Sequence, residues 1–235
     1  MMKIAVIIPA YNEANSLPSV IASVNELNNT NNHQYTPIVV NDASIDNTIA
    51  VLKNCNCIVL TLAVNLGIGG AVQTGFLFAA KNNFDFAVQI DGDGQHPANQ
   101  IPNLLSAAIN HHYDITIGSR FIAGEGFQSS LFRRIGINYF SFLLQILTTK
   151  NIKDTTSGMR LFSGKAMNIF AEKYPDEYPE PEVIILAKKN NLSIGEVAVS
   201  MSERAFGVSS IGFLDAIYYM AKVTLAIFFS YIKKI

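Results

Sequence analysis

Residues 86–97 read F-A-V-Q-I-D-G-D-G-Q-H-P. An apolar run, Phe86–Ile90, stops at two carboxylates one residue apart, Asp91 and Asp93. A strand that ends in D-x-D puts hard oxygen ligands on the rim of a sheet, where a divalent cation and a diphosphate can be held together. Gly92 and Gly94 let the main chain bend closely around a ligand. Asp91, Asp93 and Gln95 fall at i, i+2 and i+4, an alternation that turns all three side chains to one side of an extended or looped segment. Oxygen ligands that leave positions for water and phosphate suit Mg²⁺ or Mn²⁺. Acidic turns are common, so a lone D-x-D is weak, and its neighbours along the chain decide how it is read.

Working outward, short β-rich runs alternate with helical stretches over the first 120 residues. Lys3–Ile8, Pro37–Val40, Ile58–Leu62, Phe84–Ile90 and Asp114–Gly118 have the composition of strands. Leu17–Leu27, Asn47–Lys53, Gly69–Asn82 and Asn99–Asn110 have the apolar spacing of helices, with Ser16 as a candidate cap for the first. Asn28–Tyr35 reads as a polar loop. The alternation predicts an α/β fold, with a mainly parallel sheet covered by helices on both faces. Ligands in such sheets bind outside the carboxyl ends of the strands. Polar residues gather at four of those ends: Pro9–Glu13, Asn41–Ser44, Asp91–Asp93 and Gly118–Arg120. The second half contains a Gly/Ser-rich stretch at 123–130, a helical candidate at Leu131–Thr149, a strand at Ser193–Met201 and a final apolar helix at Ile211–Ile232.

Composition narrows the class. A chain of 235 residues with net charge −1 gives no global electrostatic case for nucleic acid. Charged residues are 15% of the chain, against about 25% in typical soluble domains. Mean hydropathy is +0.25. Such a chain is either core-rich or placed near a lipid surface. Cys55 and Cys57 are too few for a zinc site or a disulfide framework. The N-terminal apolar run is too short for a signal peptide, which predicts a cytoplasmic location. No stretch of about 20 uninterrupted apolar residues is present to span a bilayer.

Taken in order, Ile8–Glu13, Asn41–Thr48, Asn65–Ala71, Asp91–Pro97, Gly118–Phe121 and Asp154–Arg160 form a specific series of motifs. Over about residues 4 to 210 the chain resembles the family 2 glycosyltransferases of the GT-A fold. It is most similar to the polyprenyl-phosphate sugar transferases, the dolichol-phosphate mannose synthase-like group. The resemblance implies a GT-A, Rossmann-like domain over residues 1–210, followed at 211–235 by an amphipathic helix for a membrane interface or an oligomer contact. It also implies nucleotide contacts from Pro9, Tyr11, Glu13, Asp42, Asn65 and Gly69. Asp93 and Gln95 would face the metal, and Asp91 the donor sugar or the metal. The second motif departs from the family's V-D-D-G-S, with Asn41 in place of an acid and Ala43 in place of glycine. Asp42 alone is then left to meet the N–H edge of the base. Several of these residues also have ordinary readings. Glu13 suits a helix N-terminus, Asp46 a helix cap, and Gly69 a close helix–sheet contact. His96 is either a soft ligand for Mn²⁺ or a capping histidine, the second preferred.

A diphosphate donor and a phosphorylated acceptor bring together more negative charge than one cation neutralises. Arg120, at a strand end, and Arg204, in a segment resembling the family's R-x-x-G-x-S, are the expected phosphate ligands. Arg133 and Arg134 open the second-half helix, where phosphate binding and snorkelling at a membrane surface compete. The resemblance makes Asp154 an active-site acid. A phosphate monoester is largely dianionic at neutral pH and needs no general base to attack an anomeric carbon. The expected reaction is therefore a metal-assisted inverting displacement, from a UDP- or GDP-sugar to a polyprenyl phosphate, on the inner face of the membrane. The alternative is extension of a polysaccharide at a hydroxyl, with Asp154 or Glu182 as base. Phe140–Leu147 and Phe213–Tyr231 are the stretches expected to lie in the interface, alone, as a homo-oligomer or beside a small membrane-protein partner.

Overall fold

The computed structural model describes residues 1–30, 32–122, 131–202 and 213–233, and within these the side chains outside 131–133 and 213–217. A seven-stranded sheet has the order β3-β2-β1-β4-β6-β5-β7. Its strands are β1 (Lys3–Ala10), β2 (Gln34–Asn41), β3 (Ile58–Thr61), β4 (Phe86–Gln89), β5 (Ile115–Ser119), β6 (Arg160–Ser163) and β7 (Ile194–Ala198). The helices are α1 (Leu17–Thr30), α2 (Thr48–Leu52), α3 (Gly67–Lys81), α4 (Ile101–His111), α5 (Leu131–Thr148), α6 (Gly164–Glu172), α7 (Pro179–Lys189) and α8 (Phe213–Ile232). A single 3₁₀ turn at Ala98–Gln100 leads into α4.

The period-two pattern of β1 explains the layers. Ala5 and Ile7 face a core built with Val72 and Phe76 of α3, Phe140 of α5, Phe170 of α6 and Ile184 of α7. Ile4, Val6 and Ile8 face the other way, onto Val20, Ile21 and Val24 of α1 and Leu104 and Leu105 of α4. All five of these β1 side chains are fully buried. Each large aliphatic side chain so buried contributes about 1.5–3 kcal/mol. Helices thus cover both faces, as the alternation of strands and helices predicts. Val223 and Ile227 bring α8 into the α3 side of this core.

The sheet is not uniformly parallel. β6 runs antiparallel to both of its neighbours, β4 and β5. The expected order of strands omits it, because its four residues include Arg160 and carry no apolar alternation. The predicted loop at Asn28–Tyr35 is also shorter than expected. α1 runs to Thr30 and β2 begins at Gln34, clamped where the Asn28 side chain both donates to and accepts from the main chain of Tyr35. The Ser16 hydroxyl does not close the start of α1 as an acceptor; it donates to the Glu13 carboxylate at 2.9 Å.

Strand order positions the site. From β1 the chain steps outward through β2 and β3, then α3 carries it back across the sheet to β4 on the other side of β1. The carboxyl ends of β1 and β4 therefore part at the point where the winding reverses, where a crevice opens in such sheets.

Candidate active site

A cavity of 240 Å³ occupies that crevice, lined by Pro9, Ala10, Tyr11, Glu13, Asp42, Ile68, Ala71, Asp91, Gly92 and Asp93. Three loops after parallel strands meet here, with the first turn of α3 as a wall. A larger cavity, 690 Å³, lies at the opposite edge, among Asn25, His33, Tyr35, Asn56 and Cys57. It contains no carboxylate, and Asn25, Asn28 and Asn56 are occupied by hydrogen bonds within the protein. The smaller cavity is the one with chemistry.

The D-x-D turn is held from within. Oδ1 of Asp93 accepts the Gln95 N–H at 2.9 Å, and Nδ1 of His96 accepts the Asp91 N–H at 3.0 Å. Buried His96 therefore caps the turn, with its Nδ1 also 3.6 Å from the Asp91 carboxylate. Gly94 has φ +81°, a conformation that glycine adopts freely. Gln95 does not line the cavity; its main chain ties the turn to Ser202, whose N–H donates to the Gln95 carbonyl at 3.1 Å.

Asp42 is buried, and its two oxygens accept the N–H groups of Leu66 and Gly67 at 2.7 and 2.9 Å. The carboxylate thus satisfies the otherwise orphaned amides that start α3. Asn65 reinforces the same turn, accepting from Gly67 and donating to the Asp42 carbonyl. Gly69 faces the 175–176 loop, where a Cβ would lie 2.3 Å from the carbonyl oxygens of Pro175 and Asp176. Its glycine is demanded by packing. Asn12 and Ala43 are both left-handed, at φ 59° and 56°, and the Asn12 side chain accepts from the Ile45 and Asp46 N–H groups, tying the loop after β1 to the loop after β2. Ala43 stands where the family motif has glycine and adopts the conformation that glycine would supply. Asp46 caps α2 through Thr48, as its position suggests.

Arg120, the expected phosphate ligand after β5, and Asp154, the expected active-site acid, turn out to be partners. Nε and Nη2 of Arg120 donate to the two oxygens of Asp154 at 2.7 Å each, and the Arg120 main-chain N–H adds a third bond at 3.1 Å. Asp154 is fully buried and Arg120 nearly so. The Phe121 ring lies 5.3 Å from the Arg120 guanidinium and 5.7 Å from that of exposed Arg134. The loop after Asp154 returns to the D-x-D: a Cβ on Gly158 would sit 3.1 Å from Oδ1 of Asp91. Glu182 does not line the cavity. Burial pushes its carboxyl above the usual carboxylate range, and Ser230 of α8 donates to it. Arg204, residues 123–130 and the side chain of Arg133 lie outside the described residues.

Two residues here have no counterpart among the sequence candidates. Buried Arg160 donates to the carbonyls of Ser157, Glu180 and Thr155 at 2.8, 2.6 and 2.9 Å, stapling the 154–158 loop to the start of α7. Burial pushes its guanidinium below the ordinary value, and nearby Glu180 opposes that. Glu196, on β7, accepts the N–H groups of Lys153 and Asp154. Arg160 closes the Asp154–Arg160 motif, and Glu196 is a charged residue inside an otherwise apolar strand; neither signal says what the side chain holds.

The glycosyl transferase family 2 model matches residues 5–170, from β1 through most of α6. The chain belongs to glycosyl transferase family 2. It is 33% identical over 217 residues to a UDP-N-acetylglucosamine–dolichyl-phosphate N-acetylglucosaminyltransferase of Methanococcus voltae, covering 83% of this chain and 84% of the relative. It is 32% identical over 226 residues to a dolichyl-phosphate beta-glucosyltransferase of Drosophila melanogaster, covering 86% of this chain and 68% of the relative. These relatives agree with the dolichol-phosphate sugar transferase-like resemblance. Among solved structures, glucosyl-3-phosphoglycerate synthase of Mycobacterium tuberculosis, in complex with Mn²⁺, UDP and glucosyl-3-phosphoglycerate, superimposes with TM-score 0.70 at 21% identity, over 98% of this chain and 80% of that one. Mannosyl-3-phosphoglycerate synthase of Rubrobacter xylanophilus gives 0.72 at 14%, over 96% and 74%. At such identities the likeness establishes the GT-A fold. This family 2 member is a nucleotide-sugar-dependent glycosyltransferase.

Proposed function

We propose that this glycosyltransferase moves a sugar from a nucleotide-diphosphate donor to a polyprenyl phosphate, with inversion, at the cytoplasmic face of a membrane. The observation favouring a phosphate over a hydroxyl acceptor is that neither base candidate lines the cavity. Asp154 is bound by Arg120, and Glu182 receives Ser230 of α8. A phosphate oxygen brings its own negative charge and requires neither. It attacks the anomeric carbon and forms the new C–O bond. The bond from that carbon to the donor's diphosphate breaks, and its electron pair leaves with the nucleoside diphosphate.

The residues present fit a hard divalent cation. Asp91 and Asp93 are oxygen donors on one cavity wall, where the donor's diphosphate would complete the coordination. No group of three metal-ligating side chains occurs among the described residues, so a substrate-completed Mg²⁺ or Mn²⁺ suits the site better than a closed protein cage. When bound, such an ion supplies charge that stabilises the departing diphosphate. Pro9, Tyr11, Glu13 and Asp42 shape the nucleoside end of the crevice. Asp42 and Asn65 hold the start of α3 beside it. Arg120 and Arg204 are assigned to phosphate, Arg120 as one partner of a fixed pair with Asp154.

The apolar solvent faces of α5 and α8 support membrane contact. Ile135, Phe142 and Ile146 of α5 and Leu225, Phe228 and Phe229 of α8 each expose more than half of their surface. No described helix is long and apolar enough to cross a membrane, so contact would be peripheral. A panel of UDP- and GDP-sugars, each offered with a polyprenyl phosphate in detergent, tests the reading. Donor-dependent label in the organic phase is expected. Label confined to water-soluble glycan would return the function to hydroxyl glycosylation.

A further inference from the structure

Glu196 stands in the middle of β7, in register with Ile117 of β5, and outside the residues matched by the family model. Each of its carboxylate oxygens accepts one main-chain amide, from Lys153 at 2.8 Å and from Asp154 at 2.9 Å. Two adjacent amides gripped by one anion cannot pivot independently, and bonds to an ionised acceptor are the strong ones. The anchored segment carries Asp154, which fixes both the side chain and the main chain of Arg120. Three residues further on, the Ser157 hydroxyl donates to the Gly118 carbonyl at 2.6 Å, and Gly158 lies against the Asp91 carboxylate. One side chain on the far strand thus holds a segment that touches both the D-x-D acid and the active-site arginine.

We propose that Glu196 is a positioning residue for the transfer reaction: through the 153–158 segment it sets where Arg120 and Asp91 stand. The kinetic part of this inference rests on the transferase reading above; the geometric part does not. Glu196→Gln keeps the shape but offers one acceptor oxygen, and turns its amide NH₂ toward the other main-chain N–H, donor against donor. Hydrogen exchange reads the consequence without substrate. In Glu196→Gln the amides of Lys153 and Asp154 are expected to exchange roughly tenfold faster or more, and the Arg120 amide, bonded only through Asp154, to speed up with them. Turnover is expected to fall roughly tenfold to a hundredfold with the donor KM little changed, the sign of groups misplaced in the transition state. Unchanged protection at Arg120 or unchanged kcat overturns the proposal. Should Glu196→Gln not fold, native-state exchange on the unaltered protein decides. The Lys153, Asp154 and Arg120 amides should open as one cooperative unit, and independent opening overturns the proposal. Should the unaltered protein fail to glycosylate polyprenyl phosphate, the acceptor reading falls, while exchange at Arg120 still tests the positioning role.

Discussion

Breaking the Arg120–Asp154 pair should unsettle the whole protein. Asp154 is 0% exposed and Arg120 7%. The two make a bidentate contact with both N···O distances at 2.7 Å. Asp154→Ala leaves a guanidinium buried without its counter-charge, and Arg120→Ala leaves a buried carboxylate with the Arg120-position main-chain N–H in place of the fork. Removing one partner of a buried pair costs about 3–5 kcal/mol. At about 2–4 °C per kcal/mol for a domain of this size, either change should lower Tm by roughly 6–20 °C. Replacing both together, Arg120→Met with Asp154→Leu, removes both desolvation costs and should recover most of that loss. The assay is urea denaturation followed by far-UV circular dichroism, since the chain has no tryptophan. The coupling in a double-mutant cycle, the two single losses less the loss of the double variant, should therefore exceed the roughly 0.5–3 kcal/mol usual for contacting residues. Single changes within about 1 kcal/mol of the parent, and additive with each other, would refute the reasoning: the pair would then be solvent-screened.

Three further outcomes follow from the same geometry. Chelation should abolish transfer and Mg²⁺ or Mn²⁺ restore it, while Asp93→Asn should lose most activity yet keep its far-UV spectrum; full turnover in excess chelator would sink the metal assignment. Gly158→Ala places a Cβ 3.1 Å from Asp91 Oδ1. It should displace that carboxylate by a few tenths of an ångström and cut kcat about tenfold, given that a 1 Å misplacement costs roughly a hundredfold; an unaffected kcat would show that the carboxylate is free to move aside. Phe228→Glu with Phe229→Glu should abolish flotation with liposomes while gel filtration stays unchanged. An altered oligomer on the column, with flotation intact, would assign the α8 face to protein contact.

The parallel half of the fold was legible because its signals are local. Lys3–Ala10 and Phe86–Gln89 are apolar runs bounded by turn residues, and the helices between them have period 3.6. The D-x-D was legible for the same reason, since strand and acids are contiguous. β6 was not, because a four-residue strand with a buried arginine has no pattern of its own; it is defined by its neighbours β4 and β5. The pairing of Arg120 with Asp154 spans 34 residues and depends on β5 and β6 lying side by side, which the separate motifs do not encode. Gly69 is a mixed case. Its place in a glycine-rich turn suggests close packing as well as a nucleotide contact, but not which surface packs there, which is the pair of carbonyls of Pro175 and Asp176.

The linkage in the product is the most direct test of the proposed reaction. Purified protein, a nucleotide-sugar donor and a polyprenyl phosphate would be incubated, and the lipid product examined by phosphorus–proton correlation NMR. A single phosphorus coupled to the anomeric proton of the transferred sugar is expected, with anomeric configuration opposite to that of the donor. A lipid phosphate left unmodified while a glycan offered in the same incubation gains the sugar at a hydroxyl, or a sugar phosphate that retains the donor's configuration, would contradict the proposed reaction.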